Sequence, residues 1–394
     1  MTRFPMRAAA PAVCAVAFLT ALCATPVTQV RAAAFDGVPH YQHVGVLVLE
    51  NESESSTWGA SSPATYLNSL VPDGAFAQNY YADGHVSLDN YISMTSGQPG
   101  TLTDTDCATV NLYTCQQFVN TAAYMNGENI GDQVEGAELT WREYADSIPY
   151  SCFHADLSAT ASPDPYQGDS TSPPAGNYAD RHDPFVYYSD ITGNQTRCVD
   201  DDVPFTQLAT DITGNTVPNY FFITPDTCHD GHDDSPSCAT GSPVPAGCTT
   251  AGGLVTFDCW LHSMLPSLLT YLDANDGVLF ITTDEAADSD TSGCCTGGPG
   301  GQAGVGGKVG LLALGYGVRA GYTSTADYDH VSQLRTMEDA LGIGTYLNNA
   351  STATAMSDLF VTPSTSSPEV PSVLLLPLFG VLAAAVALRR KSRA

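Results

Sequence analysis

The sequence predicts an α/β fold, a mostly parallel sheet covered by helices on both faces. Three observations predict it. Short apolar, β-branched runs recur at residues 44–49, 220–224, 278–283 and 309–314. They are apolar throughout, as strands buried on both faces are. Helical patterns alternate with them along the chain.

Taken in order, the first run is followed by a helical pattern at residues 64–70. Residues 75–82 are an apolar stretch, and residues 84–91 (GHVSLDNY) open a second helix. A weaker helical pattern, 206–212, precedes the second run. Residues 258–272 form the longest one, and Pro266 is expected to kink or divide it. Residues 329–341 make the last helix. Residues 158–183, rich in Ser, Pro, Asp and Gly, are expected to be a surface insertion, and 293–307 (GCCTGGPGGQAGVGG) a flexible loop. No internal repeat is present.

The 394 residues carry 42 acidic and 13 basic side chains, a formal charge of −29. Seven of the basic residues lie in the first 34 or the last six positions. Residues 35–368 thus hold six basic against 41 acidic side chains, a charge of −35. Such a body is a poor nucleic-acid partner, since that binding needs Lys and Arg against phosphates. With 43% apolar and 14% charged residues it has material for a core rather than the composition of a disordered chain.

Both ends are expected to be addresses. Residues 1–34 carry Arg3 and Arg7, an apolar run and Ala32-Ala33-Ala34, the pattern of a cleaved secretory signal. Residues 364–372 are a polar, Pro-containing spacer. Residues 373–394 are an apolar segment closed by Arg389-Arg390-Lys391-Ser392-Arg393, a membrane anchor or sorting tail. The body, residues 35–363, is expected outside the cell or anchored at its surface. Ten cysteines remain beyond the signal, an even number that suits disulfides in an exported chain, with Cys107 and Cys115 a plausible pair. No CxxC spacing supports a zinc–cysteine site.

Three of the four runs end in acidic or amide residues. They lead into Glu50-Asn51, into Asp226 and then His229–Asp234, and into Asp284-Glu285. Ligands in open α/β sheets sit beyond the carboxyl ends of the strands. Carboxylates gathered there repel one another unless a cation lies among them, so a metal centre is expected. Ser87 stands near a helix N-terminus, where N–H groups favour an oxyanion or phosphate; the plainer reading is a helix-capping serine. The segment lacks the closing Gly of a G-x-S-x-G elbow, and the run to Gly307-Lys308 fails the P-loop pattern.

The ordered set then resembles a known family. His43 through Glu50-Asn51, Tyr66 through Leu70, Asn79-Tyr80-Tyr81 and His85 through Gly97 look like the opening of the bacterial phosphoesterase family. Arg181–Phe185, Ile223–Asp226 with Asp230 and His232, Thr283–Glu285 and Asp329-His330 follow in order. That family includes secreted acid phosphatases and phospholipases C of the alkaline phosphatase superfamily. The resemblance implies an alkaline phosphatase-like three-layer sandwich over residues 35–363. It implies Ser87 as nucleophile and Glu50, Asn51, Ser87, Asp284 and Glu285 as ligands of a divalent cation of unspecified identity and number. It implies catalytic parts for His182, His232 and His330, and substrate binding by His85, Asn90 and Asp230. Val86 and Asp89 stand where the family commonly has proline, which bears on substrate preference.

The expected activity is an exported, metal-dependent, acid phosphatase-like phosphomonoesterase acting through a phosphoseryl intermediate. Its partners would be a phosphate-ester small molecule or a phospholipid head group, and a membrane through the tail. Two alternatives stand beside it: a phospholipase C-type diesterase, and an inactive, metal-stabilised surface binding protein. His40, His154 and His262 read as structural or surface residues, Asp200–Asp202 as a solvated run, and His229 and Asp233 as lesser members of their cluster.

Overall fold

The computed structural model describes residues 35–99, 128–155, 167–168, 177–232, 245–248 and 251–361. The signal, the spacer and tail, Cys107 with Cys115, and Asp233 lie outside the described residues, as does most of the 158–183 insertion. Among the described residues no helix is long and apolar enough to cross a membrane.

An eight-stranded sheet organises the chain. Its strands are β1 (His43–Leu49), β2 (Ala75–Ala77), β4 (Trp141–Ala145), β5 (Asp202–Pro204), β6 (Tyr220–Thr224), β7 (Gly277–Thr283), β8 (Leu311–Gly315) and β9 (Tyr322–Ser324). A separate pair is β3 (Tyr80–Tyr81) with β10 (Tyr328–Asp329). The spatial order is β9-β2-β8-β7-β1-β6-β4-β5. All neighbours run parallel except at β8, which is antiparallel to both β7 and β2. The expected mostly parallel sheet is present.

The helices include α1 (Thr65–Ser69), α2 (Ser87–Ser96), α3 (Ile130–Gly136), α4 (Thr206–Gly214), α5 (Gly253–Ala274) and α6 (His330–Ala340). Side chains alternate across a strand, so β1 feeds two cores. Val44, Val46 and Val48 join a cluster with Leu88, Tyr91 and Ile92 of α2 and Leu334 and Met337 of α6. Leu47 and Leu49 join another with Leu261, Leu265 and Leu268 of α5. That is the three-layer sandwich. On α5 the buried Leu254, Phe257, Leu261, Leu265, Leu268 and Leu272 recur every three or four residues, one helical stripe against the sheet. Leu265→Ala would cost roughly 2–5 kcal/mol. Gly45 is required where it stands, because a Cβ there would meet the Phe221 ring at 2.1 Å.

Four expectations change. Helix α5 runs on through Pro266 instead of dividing there; the buried stripe on either side of the proline holds one helix. The fourth strand starts at Leu311, because Val309 and Gly310 both donate their N–H groups to the Tyr80 carbonyl. Strands β4 and β5 were not anticipated, since their sequences, WREYA and DVP, put buried acids in the sheet. Asp202 is accordingly not part of a solvated run: it is fully buried. The glycine-rich segment 293–307 is a packed brace. Val305 and Gly306 donate to the carbonyls of Asp83 and Ala82, and a Cβ on Gly304 would lie 2.7 Å from the Asp83 backbone.

The chain holds disulfides Cys152–Cys198, Cys248–Cys259 and Cys294–Cys295, and Cys228 is disulfide-bonded as well.

Candidate active site

The site forms because β1 lies between β6 and β7, parallel to both. Adjacent strands are about 4.8 Å apart, so the residues just past three neighbouring carboxyl ends must converge. Backbone bonds lock the convergence. The Asp284 N–H donates to the Leu49 carbonyl, and the Glu50 N–H to that of Asp230. Asn51 adopts a left-handed φ of 51°, which Asn tolerates better than most residues, and its N–H donates to Asp284 Oδ1 at 2.8 Å.

Glu50 is the centre. Its Oε1 accepts from Arg181 at 2.9 Å and lies 3.0 Å from His182 Nε2. His232 Nδ1 stands 3.5 Å from Oε2, too long for a good hydrogen bond. Burial alone would raise the Glu50 carboxyl, but His182, His232 and Arg181 outweigh it and hold it well below its usual range. Asp284 behaves oppositely: burial, then the Glu50 charge, pushes it up to about 7. Tyr91 stacks on His182 with ring centroids 5.2 Å apart, fixing the imidazole plane.

Ser87 opens α2. The N-cap is Val86, so Ser87 is not the capping residue. Its Oγ donates to Glu285 Oε1 at 3.3 Å and lies beside the Asp284 carboxyl. The helix N-terminus behind it presents first-turn N–H groups. His85 bridges Glu285 Oε2, at 3.1 Å, and the Asp290 carbonyl, at 2.9 Å. Asn90 turns inward. Its Oδ1 accepts from the Asp83 and Gly84 N–H groups, and its Nδ2 donates to the Gly84 and Val86 carbonyls. With its amide spent on the loop before Ser87, Asn90 shapes the turn and is not placed to bind substrate.

The structure therefore brings together Glu50, Asn51, Ser87, His85, His182, Asp230, His232, Asp284 and Glu285. His330 stands behind them. It is fully buried, with Nε2 on the Asp284 carbonyl at 2.6 Å and Nδ1 on the Tyr80 hydroxyl at 2.9 Å. Burial lowers it to about 4, so it is neutral and steadies the Asp284 backbone; neither nitrogen is left for a leaving group.

Several residues were not anticipated. Arg181 stands in the sequence only as part of a motif, yet it pairs with Glu50. Tyr91 is a helical aromatic whose stacking no sequence pattern announces. His229, given a lesser place, is buried between Asp146, at 2.7 Å, and Asp226, at 3.2 Å. Burial would lower its pKa, but the two carboxylates raise it to about 9.

The donor set fits a divalent cation. Glu50 Oε2 and Asp284 Oδ2 are buried oxygens that accept no hydrogen bond. Glu50, His182 and Asp230 each offer a ligand atom, all within 4.8 Å of one another. His182 and Asp230 thus join Glu50 as candidate ligands for such an ion.

Comparison with known proteins agrees with this geometry. The Phosphoesterase family model matches residues 42–344. This chain belongs to the phosphoesterase family. The phosphoesterase is 25% identical over 317 residues to a phosphatidylinositol-3-phosphatase of Mycobacterium tuberculosis, covering 80% of this chain and 82% of that one. It is 26% identical to a probable acid phosphatase of Kluyveromyces lactis and 23% identical to a phosphate-repressible acid phosphatase of Penicillium chrysogenum. These matches take in 52% and 68% of this chain, but only 41% and 52% of the two fungal proteins. Among solved structures, a protein of the alkaline phosphatase superfamily from Vibrio parahaemolyticus shares the fold. The TM-score is 0.52 at 11% identity, with 83% of this chain and 73% of that one covered. The phosphoesterase is a hydrolase acting on phosphoric esters, with the alkaline phosphatase superfamily fold.

Proposed function

We propose that this phosphoesterase is an exported, metal-dependent phosphomonoesterase of the acid phosphatase type that uses Ser87 as nucleophile. The observation that carries this reading is one arrangement. The Ser87 hydroxyl, at the N-terminus of α2, faces Glu285 and Asp284, while buried oxygens of Glu50 and Asp284 accept nothing.

Glu50, Asn51, Asp284 and Glu285, with His182 and Asp230 beside them, would hold the cation. When bound, it offsets the phosphoryl charge and lowers the proton affinity of the serine hydroxyl. The remaining steps belong to the chain. Glu285 accepts the Ser87 hydroxyl hydrogen and His85 orients that carboxylate. Ser87 Oγ bonds to phosphorus as the bond to the leaving oxygen breaks, and the N–H groups of α2 stabilise the equatorial oxygens. His232, 45% exposed at the mouth, would protonate the leaving oxygen. His182 is buried against Glu50 and orients that carboxylate. Water then attacks phosphorus and gives a proton to the now neutral His232, the Oγ–P bond breaks, and Ser87 regains its proton from Glu285.

The substrate is a small or lipid-linked phosphomonoester. The relatives carry phosphatase names, one of them phosphatidylinositol-3-phosphatase, which supports a monoester over a diester. The test is phosphate release from an aryl phosphate, with a phosphatidylcholine diester alongside, and acid trapping of phosphoserine. Phosphate release that chelator abolishes and a divalent cation restores supports the reading. Full activity in Ser87→Ala sinks the mechanism, and preferential cleavage of the diester transfers the assignment to a phospholipase C.

A further inference from the structure

The glycine-rich brace over residues 293–307 carries a bond that the mechanism does not use. Cys294 and Cys295 are neighbours in the chain and are bonded to each other. A disulfide stabilises a fold chiefly by closing a loop of the unfolded chain, and the effect grows with the loop. Cys152 and Cys198 are 46 positions apart, and Cys248 and Cys259 are 11 apart. Cys294 and Cys295 are one apart, so their bond closes no loop and adds little to global stability.

What it fixes is a local turn. Cys295 has a left-handed φ of 67°, which a residue with a Cβ seldom adopts. Beyond it the Thr296 and Gly297 N–H groups both donate to Asp329 Oδ2, at 2.7 and 2.9 Å. Asp329 Oδ1 accepts from the Ser332 N–H at 2.7 Å and so caps α6. His330, the first residue of α6, holds the Asp284 carbonyl at 2.6 Å. The same turn reaches the segment before the serine. The Cys294 carbonyl accepts from the Gly304 N–H, and the next two residues, Val305 and Gly306, donate to the Asp83 and Ala82 carbonyls. Gly297 packs so closely on Asp83 that a Cβ there would lie 1.8 Å from its Oδ1. The cysteine pair thus stands where two braces meet, one running to Asp284 and one to the loop that delivers Ser87.

We propose that the Cys294–Cys295 disulfide is a redox switch on the phosphoesterase site, active when oxidised and slackened when a dithiol reduces it. The switch rests on the reading of Ser87 and Asp284 given above. A thiolate of the reductant attacks one sulfur and the Cys294–Cys295 bond breaks. Two electrons and two protons pass to the pair, giving two thiols, while the reductant closes to its own disulfide. Both cysteines are partly exposed, whereas Cys152 and Cys198 are buried. In the disulfide, Cys294 Sγ lies 3.3 Å from the Tyr328 carbonyl and has no hydrogen to give it. The thiol formed on reduction can donate there, beside Asp329, and Cys295 is free to leave its left-handed conformation. Both changes draw Thr296 and Gly297 off Asp329, which loosens the start of α6 and the grip of His330 on Asp284.

The experiment uses the purified full chain, fully oxidised and at a fixed concentration of divalent cation, titrated with dithiothreitol. Thiols are located by alkylation and mass spectrometry. Phosphate release from an aryl phosphate and amide hydrogen exchange are followed in parallel. Cys294–Cys295 is expected to open before the other disulfides, to lower kcat at least fivefold, and to speed exchange at Thr296, Gly297 and Ser332; reoxidation restores all three. A variant carrying both Cys294→Ala and Cys295→Ala is expected to start at the reduced rate and to ignore the reductant. That separates the switch from capture of the cation by the dithiol and from reduction elsewhere. If the variant does not fold, the thiol map and exchange of the parent give the same reading. Unchanged kcat or unchanged exchange once both thiols are alkylated overturns the switch. So does a pair that opens only after Cys248–Cys259, or a double variant as active as the oxidised parent. Amide exchange reports on the brace whichever residue is the nucleophile, so such a failure is distinguishable from failure of the proposed function.

Discussion

Two groups of buried acids sit in one sheet and take opposite states. At the mouth, Glu50 faces Arg181, His182 and His232, and its carboxyl is held well below the usual range. Where β4 meets β5, the charged groups that bear most on Glu143 and Asp202 among the described residues are other acids; burial, then Asp183, pushes both well above the usual range. The residue types and the burial are alike. What differs is whether cationic side chains share the pocket, and that decides which carboxyl is ionised and ready to act. The mouth opens to solvent through His232, whereas the second group is sealed.

The largest effect tests the mouth. Ser87→Ala is expected to lower kcat for an aryl phosphate by about a thousandfold or more, since it removes the nucleophile. Glu50→Gln should act comparably and also blunt the response to added divalent cation, read as the cation concentration giving half-maximal rate. Next comes Arg181→Met, which takes one cationic partner from Glu50 but leaves His182. Losing one charge-assisted hydrogen bond is worth about 1–3 kcal/mol, so a drop of roughly tenfold to a hundredfold in kcat/KM is expected. If Arg181→Met is silent, the contrast between the two acid groups rests on the histidines alone.

The mouth was legible in the sequence because strand ends are. Apolar runs finishing in Glu50-Asn51 and Asp284-Glu285 announce themselves by hydropathy, and parallel pairing then forces them together. The second group was hidden for the same physical reason in reverse. Glu143 interrupts WREYA and Asp202 closes a run of three acids, so both segments read as polar surface. Only the pairing of β4 with β5 shows that these acids point inward. Asn90 was visible but misassigned, because a side chain that bonds its own loop leaves no trace in spacing.

A smaller effect probes the sealed group. Glu143→Gln removes one acid from a pocket of acids and leaves an amide that can donate. A carboxyl raised by burial destabilises the fold as pH rises from its unfolded value towards its folded one, and Gln does not. Glu143→Gln is therefore expected to melt higher than the parent at pH 8. A variant that melts lower would mean that the Thr224 hydrogen bond outweighs the repulsion.

The smallest effect uses a third buried acid as a calibration. Glu338 on α6 accepts from the Leu347 N–H at 2.8 Å, while its Oε2 has no partner. Burial pushes this carboxyl up to about 8. Its ordinary value is about 4.3, so between those two pH values the folded chain holds a proton that the unfolded chain has released. Stability must then fall as pH rises across that window, with the loss complete above about 8. Glu338→Gln keeps the acceptor for Leu347 and removes the titration. Its melting temperature should decline less than the parent's between pH 5 and pH 8, by roughly 2–8 °C for a chain of this size. Equal slopes would show that Glu338 is charged in the fold. A buried acid would then ionise although burial outweighs its cationic neighbour Arg335, and the contrast between the mouth and the sealed group would lose its physical basis.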